Sequence, residues 1–386
     1  MNELTISHKR SSWIILLYII LGLPFIGHLF MGSGLLLLTK VCLILYLFIN
    51  TRFTKQYHLA ALVIFFLIFL VQVALNTSKL PYLTFLLLDV VFFVGVWRFL
   101  DCSSVNRGII LSLLYRTFFV ISILIIASQA IFIVYPSLFS EIMIGEYPEY
   151  NNPILGSITP DKNRPHWYFA EPSYAGFCIG AVFFLCIDLF SYNKKKKLLF
   201  LTFLFVAILC IRSYGTWLYF FWTMSAFLLF RVIKNPKMRI VLVFFFIALA
   251  FFITIAHLDS IFDIMDTENL GSVSFGSRQE RIENGFKIIN GMGLGDWLIG
   301  KGAEYQATLL GDGQSNAYIL MLVDYGFISL IAYILFIVKK LYKAPLLLLF
   351  LLLEFNTVIL TLSPFTLLII ILGSYRDKVT VHSSLE

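Results

Sequence analysis

Two stretches hold most of the residues that could do polar chemistry in an otherwise apolar chain. The first reads Arg164-Pro165-His166-Trp167-Tyr168-Phe169-Ala170-Glu171-Pro172-Ser173-Tyr174-Ala175-Gly176. An arginine, an imidazole and a carboxylate within eight residues could bind an anion and accept a proton from a hydroxyl, with Glu171 and His166 as candidate bases. A second reading is open for the same residues. Pro172 suits the first turn of a helix, Glu171 would meet the positive end of its dipole, and Trp167, Tyr168 and Tyr174 would form an interfacial aromatic belt, which explains them as well as a role as substrate contacts does. The second stretch, Phe275 to Ile289, places Phe275, Ile282, Phe286 and Ile289 at helical spacing and Arg278 and Arg281 three residues apart on one face. Two guanidinium forks so placed fit a phosphate or pyrophosphate. They fit a solvated or headgroup-contacting helix equally well.

Glycines follow in Gly291-Met292-Gly293-Leu294-Gly295-Asp296-Trp297-Leu298-Ile299-Gly300-Lys301-Gly302. The pattern imitates a dinucleotide fingerprint but lacks the preceding strand and βαβ unit, so it reads as a tight loop near the membrane. Next comes Gly313-Gln314-Ser315-Asn316-Ala317-Tyr318, running into an apolar segment with Asp324 and Gly326 beyond. Ser315 and Asn316 are good helix caps and, with Tyr318, are also candidate substrate contacts.

The elements that must position these residues follow from composition. The chain has 386 residues, of which 60% are hydrophobic and only 13% charged. Soluble domains carry roughly 25% charged residues and keep a polar surface. The expectation is an all-α polytopic membrane protein, a single integral membrane domain over 1–386, with disorder and collagen-like repeats excluded. The five cysteines form no CxxC pair and sit in or beside apolar runs, so neither a disulfide framework nor a thiolate metal site is expected.

Apolar segments of roughly 20 residues fall at 13–31, 34–50, 58–76, 81–99, 114–135, 172–192, 198–213, 215–231, 240–257 and 316–338. The run 345–373 reads as one long span or as two short ones broken around Glu354–Asn356 and Ser363-Pro364. With the N-terminus inside, twenty of the 29 Lys and Arg fall in cytoplasmic loops and eight outside. The net charge of +7 is therefore mostly topology and does not point to nucleic acid. Arg376 and Lys378 favour a cytoplasmic C-terminus, hence an even count of about twelve transmembrane helices. Two outer segments are long, 136–171 and 258–315, the latter with the amphipathic helix. Long loops of this kind usually carry function, so the function is expected outside.

Lys40 lies about six residues into its span and Asp89 about eight into its own, both counted from outside, which places them at similar depth at 1.5 Å per residue. Isolated charges there are costly, so a structural Lys40–Asp89 pair is expected. Asp324 and Glu354 are further acids at depth, suited to a water-filled cavity or to helix packing.

Taken together, the first outer loop leading into "FAEPSYAG", the paired arginines of the second, "LIGKG" and "SNAYILMLVDYG" resemble the O-antigen polymerase (Wzy-type) and ligase superfamily of bacterial inner-membrane glycosyltransferases. The resemblance covers the topology of most of the chain and specific residues in 164–176 and 276–326. It implies a GT-C-like helical fold with two long periplasmic loops, no cofactor and no metal. It implies an undecaprenyl-pyrophosphate-linked oligosaccharide as donor, with membrane lipids, a chain-length regulator and a flippase as partners. Arg164, Arg278 and Arg281 match the family's pyrophosphate-binding arginines. Glu171, Pro172 and Ser173 match its "EPS" segment, and Ser315, Asn316, Ala317 and Tyr318 its "HNxY" element. Ser315 stands where ligases typically carry histidine, which favours polymerase over ligase. A lipid-linked sugar flippase or transporter is the alternative of another class; it predicts internal repeats and discontinuous helices at the midplane, and no repeat is present in the sequence.

Overall fold

The computed structural model describes residues 11–18, 33–49, 70, 74, 80–102, 104–135, 157–159, 162–164, 172–191, 194–233, 235–256, 272–302, 305–310, 316–356, 363–375 and 379–380. Beyond a helical segment at 11–18, thirteen helices are present among the described residues. They are α1 (Ser33–Ile49), α2 (Leu80–Cys102), α3 (Ser104–Val134), α4 (Pro172–Leu189), α5 (Lys194–Ile211), α6 (Tyr214–Val232), α7 (Pro236–Ala256), α8 (Ser272–Asn290), α9 (Leu294–Ile299), α10 (Tyr305–Leu310), α11 (Ala317–Leu341), α12 (Pro345–Glu354) and α13 (Pro364–Ser374). Strand is confined to two short pairs: β1 (Ser157–Thr159) antiparallel to β2 (Lys162–Arg164), and β3 (Phe190–Ser191) parallel to β4 (Val379–Thr380). The fold is helical, as expected. By length and composition, Asn106–Val134 and α11 could each cross a membrane.

Packing divides the chain into two compact units. One comprises Met1–Leu67, Thr84–Phe220 and Leu362–Glu386; the other comprises Ile68–Leu83 and Phe221–Thr361. In the first, α3 packs on α4 and α5, and α4 on α5 and α13. Its core is aromatic: Phe365 of α13 meets Phe118 of α3 at 5.6 Å and Phe177 of α4 at 6.4 Å between ring centroids. Such offset and edge contacts add to the burial of large rings. α5 and α6 are joined by a two-residue turn in which Arg212 adopts φ 53°. Trp217 Nε1 donates back to the Ile208 carbonyl at 2.7 Å, closing that turn.

The buried ion pair is present in this unit. Lys40 Nζ on α1 lies 2.8 Å from Asp89 Oδ1 on α2. Tyr18, in the 11–18 segment, donates to the same oxygen at 2.8 Å and stacks flat on Phe92. Three helical segments thus converge on one carboxylate, which is how a charge at depth is made tolerable. Arg98 of α2 is buried and lies over the Phe48 ring. The expected span 114–135 is the C-terminal part of a longer helix. α3 starts at Ser104 and runs through Arg107 and Arg116, since no proline intervenes to stop it.

In the second unit α11 is the hub: α8, α9, α10 and α12 all pack on it, and α7 packs on α12. The expected single span 316–338 is broken. Gly326 has φ 80° and ψ 170°, so α11 is two helices joined at a sharp kink. A straight α11 would put Ala317 roughly 36 Å from Leu341, whereas α12 rises only about 15 Å over its ten residues. Even so, the Ala317 N–H donates to the Phe355 carbonyl just past α12, at 2.9 Å, and the Tyr318 hydroxyl to the Leu352 carbonyl. Only a bent α11 allows both.

The ambiguous run 345–373 is two short helices, α12 and α13. Pro345 and Pro364 occupy first-turn positions that need no N–H donor. Ser363 caps α13 by accepting from the Thr366 N–H. At about 15–17 Å neither helix alone crosses a hydrocarbon core of about 30 Å.

Candidate functional site

In the first unit, β2 carries Arg164 at its end, paired across the hairpin with Ser157, and β2 packs against α3. His166, Trp167, Tyr168 and Glu171 lie outside the described residues. α4 begins at Pro172, as the sequence predicts, with Ser173 buried and Tyr174 half-buried in its first turn. Two further polar groups of this unit escape sequence reasoning. Gln129, five residues from the C-terminal end of α3, is buried with neither amide atom hydrogen-bonded, and Thr216 Oγ1 near the start of α6 is likewise buried and unpartnered. Buried polar atoms normally find partners, so these two are exceptions to the usual pattern.

In the second unit, the amphipathic segment 275–289 lies within α8, so Arg278 and Arg281 sit one turn apart on a continuous helix. Arg281 is half-buried. On the same helix Lys287 Nζ donates to Asn284 Oδ1 at 3.2 Å, and Gly285 is buried.

The glycine-rich segment is not a plain loop. Gly293 precedes the short helix α9, and Gly300, at φ 84°, ends it by donating to the Asp296 carbonyl at 2.7 Å. Lys301 then reaches back, its ammonium 2.6 Å from Asp296 Oδ2. That hydrogen bond is the main cause holding the Asp296 carboxyl below, and the Lys301 ammonium above, their ordinary values.

This segment docks on the α11 kink. The Lys301 N–H donates to the Val323 carbonyl at 2.8 Å and the Gly302 N–H to the Asp324 carbonyl at 3.1 Å. In an unbroken helix those carbonyls would accept from residues beyond Gly326, so the docked segment supplies donors where the kink removes them. The two backbones touch: a Cβ on Gly300 would collide with the Asp324 carbonyl, and one on Gly326 with the Leu298 carbonyl. Asp324 is buried, and its Oδ1 accepts from the Gln306 N–H at 3.4 Å. Gln306, also buried, donates its side-chain amide to the Ile319 carbonyl at 3.2 Å. Asp324 thus serves packing of the α10 start onto α11, one of its two expected roles.

Of the expected substrate contacts in this unit, Ser315 lies outside the described residues. Asn316 is the α11 cap, its Oδ1 accepting from the Tyr318 and Ile319 N–H groups at 2.9 and 3.1 Å. Its amide nitrogen lies 3.5 Å from Asn356 Oδ1. Tyr318 is committed to the α12 terminus through its hydroxyl. Glu354, fully buried, ends α12 beside them. These residues join two half-length helices, so capping is their visible work. Among the described residues no group of three or more His, Cys, Asp and Glu side chains could hold a metal. No protein-family model, no curated protein and no solved structure matches the chain.

Proposed function

We propose that the protein is a membrane glycosyltransferase that polymerises oligosaccharide units carried on undecaprenyl pyrophosphate at the outer face of a bacterial inner membrane. The observation that carries this reading is the pair Arg278 and Arg281, one turn apart on α8 and resting with that helix on α11. Cleavage of a glycosyl–pyrophosphate bond leaves negative charge on the departing group, and guanidinium donors aimed at developing charge are commonly the largest catalytic contribution. Arg164, ending the β-hairpin, is assigned the same task. Glu171 is assigned the base that takes the proton of the attacking sugar hydroxyl, with His166 hydrogen-bonding the sugar.

The test is gel analysis of surface polysaccharide from a deletion strain complemented with variants. Loss of the gene leaves acceptor lipid capped with a single repeat unit. Long chains accumulating on the carrier lipid would instead indicate the ligase. Arg278→Ala and Arg281→Ala, present in the membrane at normal level, abolish long chains; normal ladders in both defeat the pyrophosphate role.

A transporter for lipid-linked sugar is the second reading, and one observation favours it. The kinked α11 and the ten-residue α12 are discontinuous elements of the type that build midplane sites in transporters. A deletion strain whose carrier-linked units remain on the cytoplasmic side would select that reading.

A further inference from the structure

The short helix α9 displays an apolar face that the polymerase reading does not use. Leu294 is 79% exposed and Leu298 38%. On a helical projection Leu294, Trp297 and Leu298 share one side, and Asp296 with its partner Lys301 lies opposite. The face continues onto α11. Trp297 meets Phe327 with ring centroids 5.1 Å apart, and Phe327, Ile328 and Ile331 are exposed just past the kink.

The arm of α11 from Phe327 to Leu341 ends in Lys339 and Lys340 and rises about 22 Å, short of the roughly 30 Å hydrocarbon thickness. Acyl chains that cover this arm therefore extend beyond Phe327 to the element packed beside it, which is α9. The backbone there is prepared for such surroundings. The N–H groups of Gly300, Lys301 and Gly302 are all satisfied by protein carbonyls. Irregular backbone at membrane depth is tolerated only on that condition.

We propose that α9 is a membrane-seated element. It lies at the hydrocarbon boundary of the outer leaflet with Leu294 and Leu298 among lipid acyl chains and the Asp296–Lys301 pair at headgroup level. The partner is the bilayer itself. The element anchors the second outer segment to the membrane surface at the α11 kink, and the proposal holds whichever reaction the protein performs.

The experiment uses the full chain reconstituted in phosphatidylethanolamine–phosphatidylglycerol bilayers. Cys42, Cys102 and Cys210 are replaced by alanine, while the buried Cys178 and Cys186 are retained. Leu294→Cys and Leu298→Cys are each spin-labelled, with Glu283→Cys, at an exposed position of α8, as the aqueous reference. The labels at 294 and 298 collide with oxygen in preference to a water-soluble nickel complex, and the reference label shows the reverse. Collision dominated by the nickel complex at 294 and 298 overturns the proposal, because the face is then in water. Exclusion of both reagents also overturns it, because a second copy or another protein then covers the face.

Discussion

Lys40 and Asp89, 49 positions apart on α1 and α2, share a hydrogen-bonded ion pair whose carboxylate oxygen also receives the Tyr18 hydroxyl. Breaking a buried pair strands the remaining charge, at a cost of about 3–5 kcal/mol. Asp89→Ala and Lys40→Ala should therefore each lower the thermal unfolding midpoint in detergent sharply. The double replacement Lys40→Met with Asp89→Leu should recover most of the loss. Tyr18→Phe removes one hydrogen bond and should cost about 1 kcal/mol. A double variant no better than the singles would refute the pairing energetics.

Gly300 and Gly326 should tolerate no side chain. Each has positive φ and faces the other segment's backbone, and strained positions of this kind cost roughly 1–3 kcal/mol before the collision is counted. Gly300→Ala and Gly326→Ala should each expose the 291–302 segment to protease. Gly295→Ala, which meets nothing within 4 Å and sits inside α9, should be neutral or stabilising by up to about 1 kcal/mol. Equal protease sensitivity in all three variants would count against the docked geometry.

The arginine pair yields a sharper functional comparison than alanine alone. A guanidinium fork grips pyrophosphate bidentately and an ammonium does not. Arg278→Lys and Arg281→Lys should each reduce polymer synthesis by roughly 10²-fold, measured with purified protein and a lipid-linked donor. Lys287→Arg, farther along α8, should leave synthesis unchanged.

The Asp296–Lys301 pair predicts a flat pH response bounded on both sides. Asp296 is held below its ordinary value of 3.8, so its contribution is complete above that pH and disappears as pH falls through the lowered value. Lys301 is raised above 10.5, so its contribution is complete below that pH and disappears as pH rises through the raised value. Docking of the 291–302 segment, followed by limited proteolysis, should be constant from about pH 5 to 9 and loosen in acid. Asp296→Asn should remove the acid transition; its persistence would assign that transition to another group.

The extent to which the sequence announces these features depends on how local their causes are. The Lys40–Asp89 pair is legible because two charges at matching depth in apolar segments have few alternatives to pairing. Tyr18 as third member is not, since nothing in its own segment marks the register that brings it to Asp89. The α8 helix and the one-turn spacing of its arginines follow from the 3.6-residue period. The starts of α4, α12 and α13 follow from their prolines. The α11 kink is hidden, because Gly326 within an apolar run reads as a tolerated glycine. Its positive φ is fixed by a tertiary contact with Gly300, and no local pattern encodes that.

The bend in α11 also dictates an order of assembly. Ala317–Leu341 has the length and apolarity of an ordinary span, and insertion machinery reads such a stretch by hydropathy before distant contacts exist. The donors that satisfy Val323 and Asp324 arrive only when residues 301 and 302 dock. The nascent chain would thus enter the bilayer with α11 straight and fold it afterwards, making the bend a late, separately reversible event in biogenesis. Pulse-chase proteolysis should then catch a membrane-inserted form whose 291–302 segment is still open to cleavage.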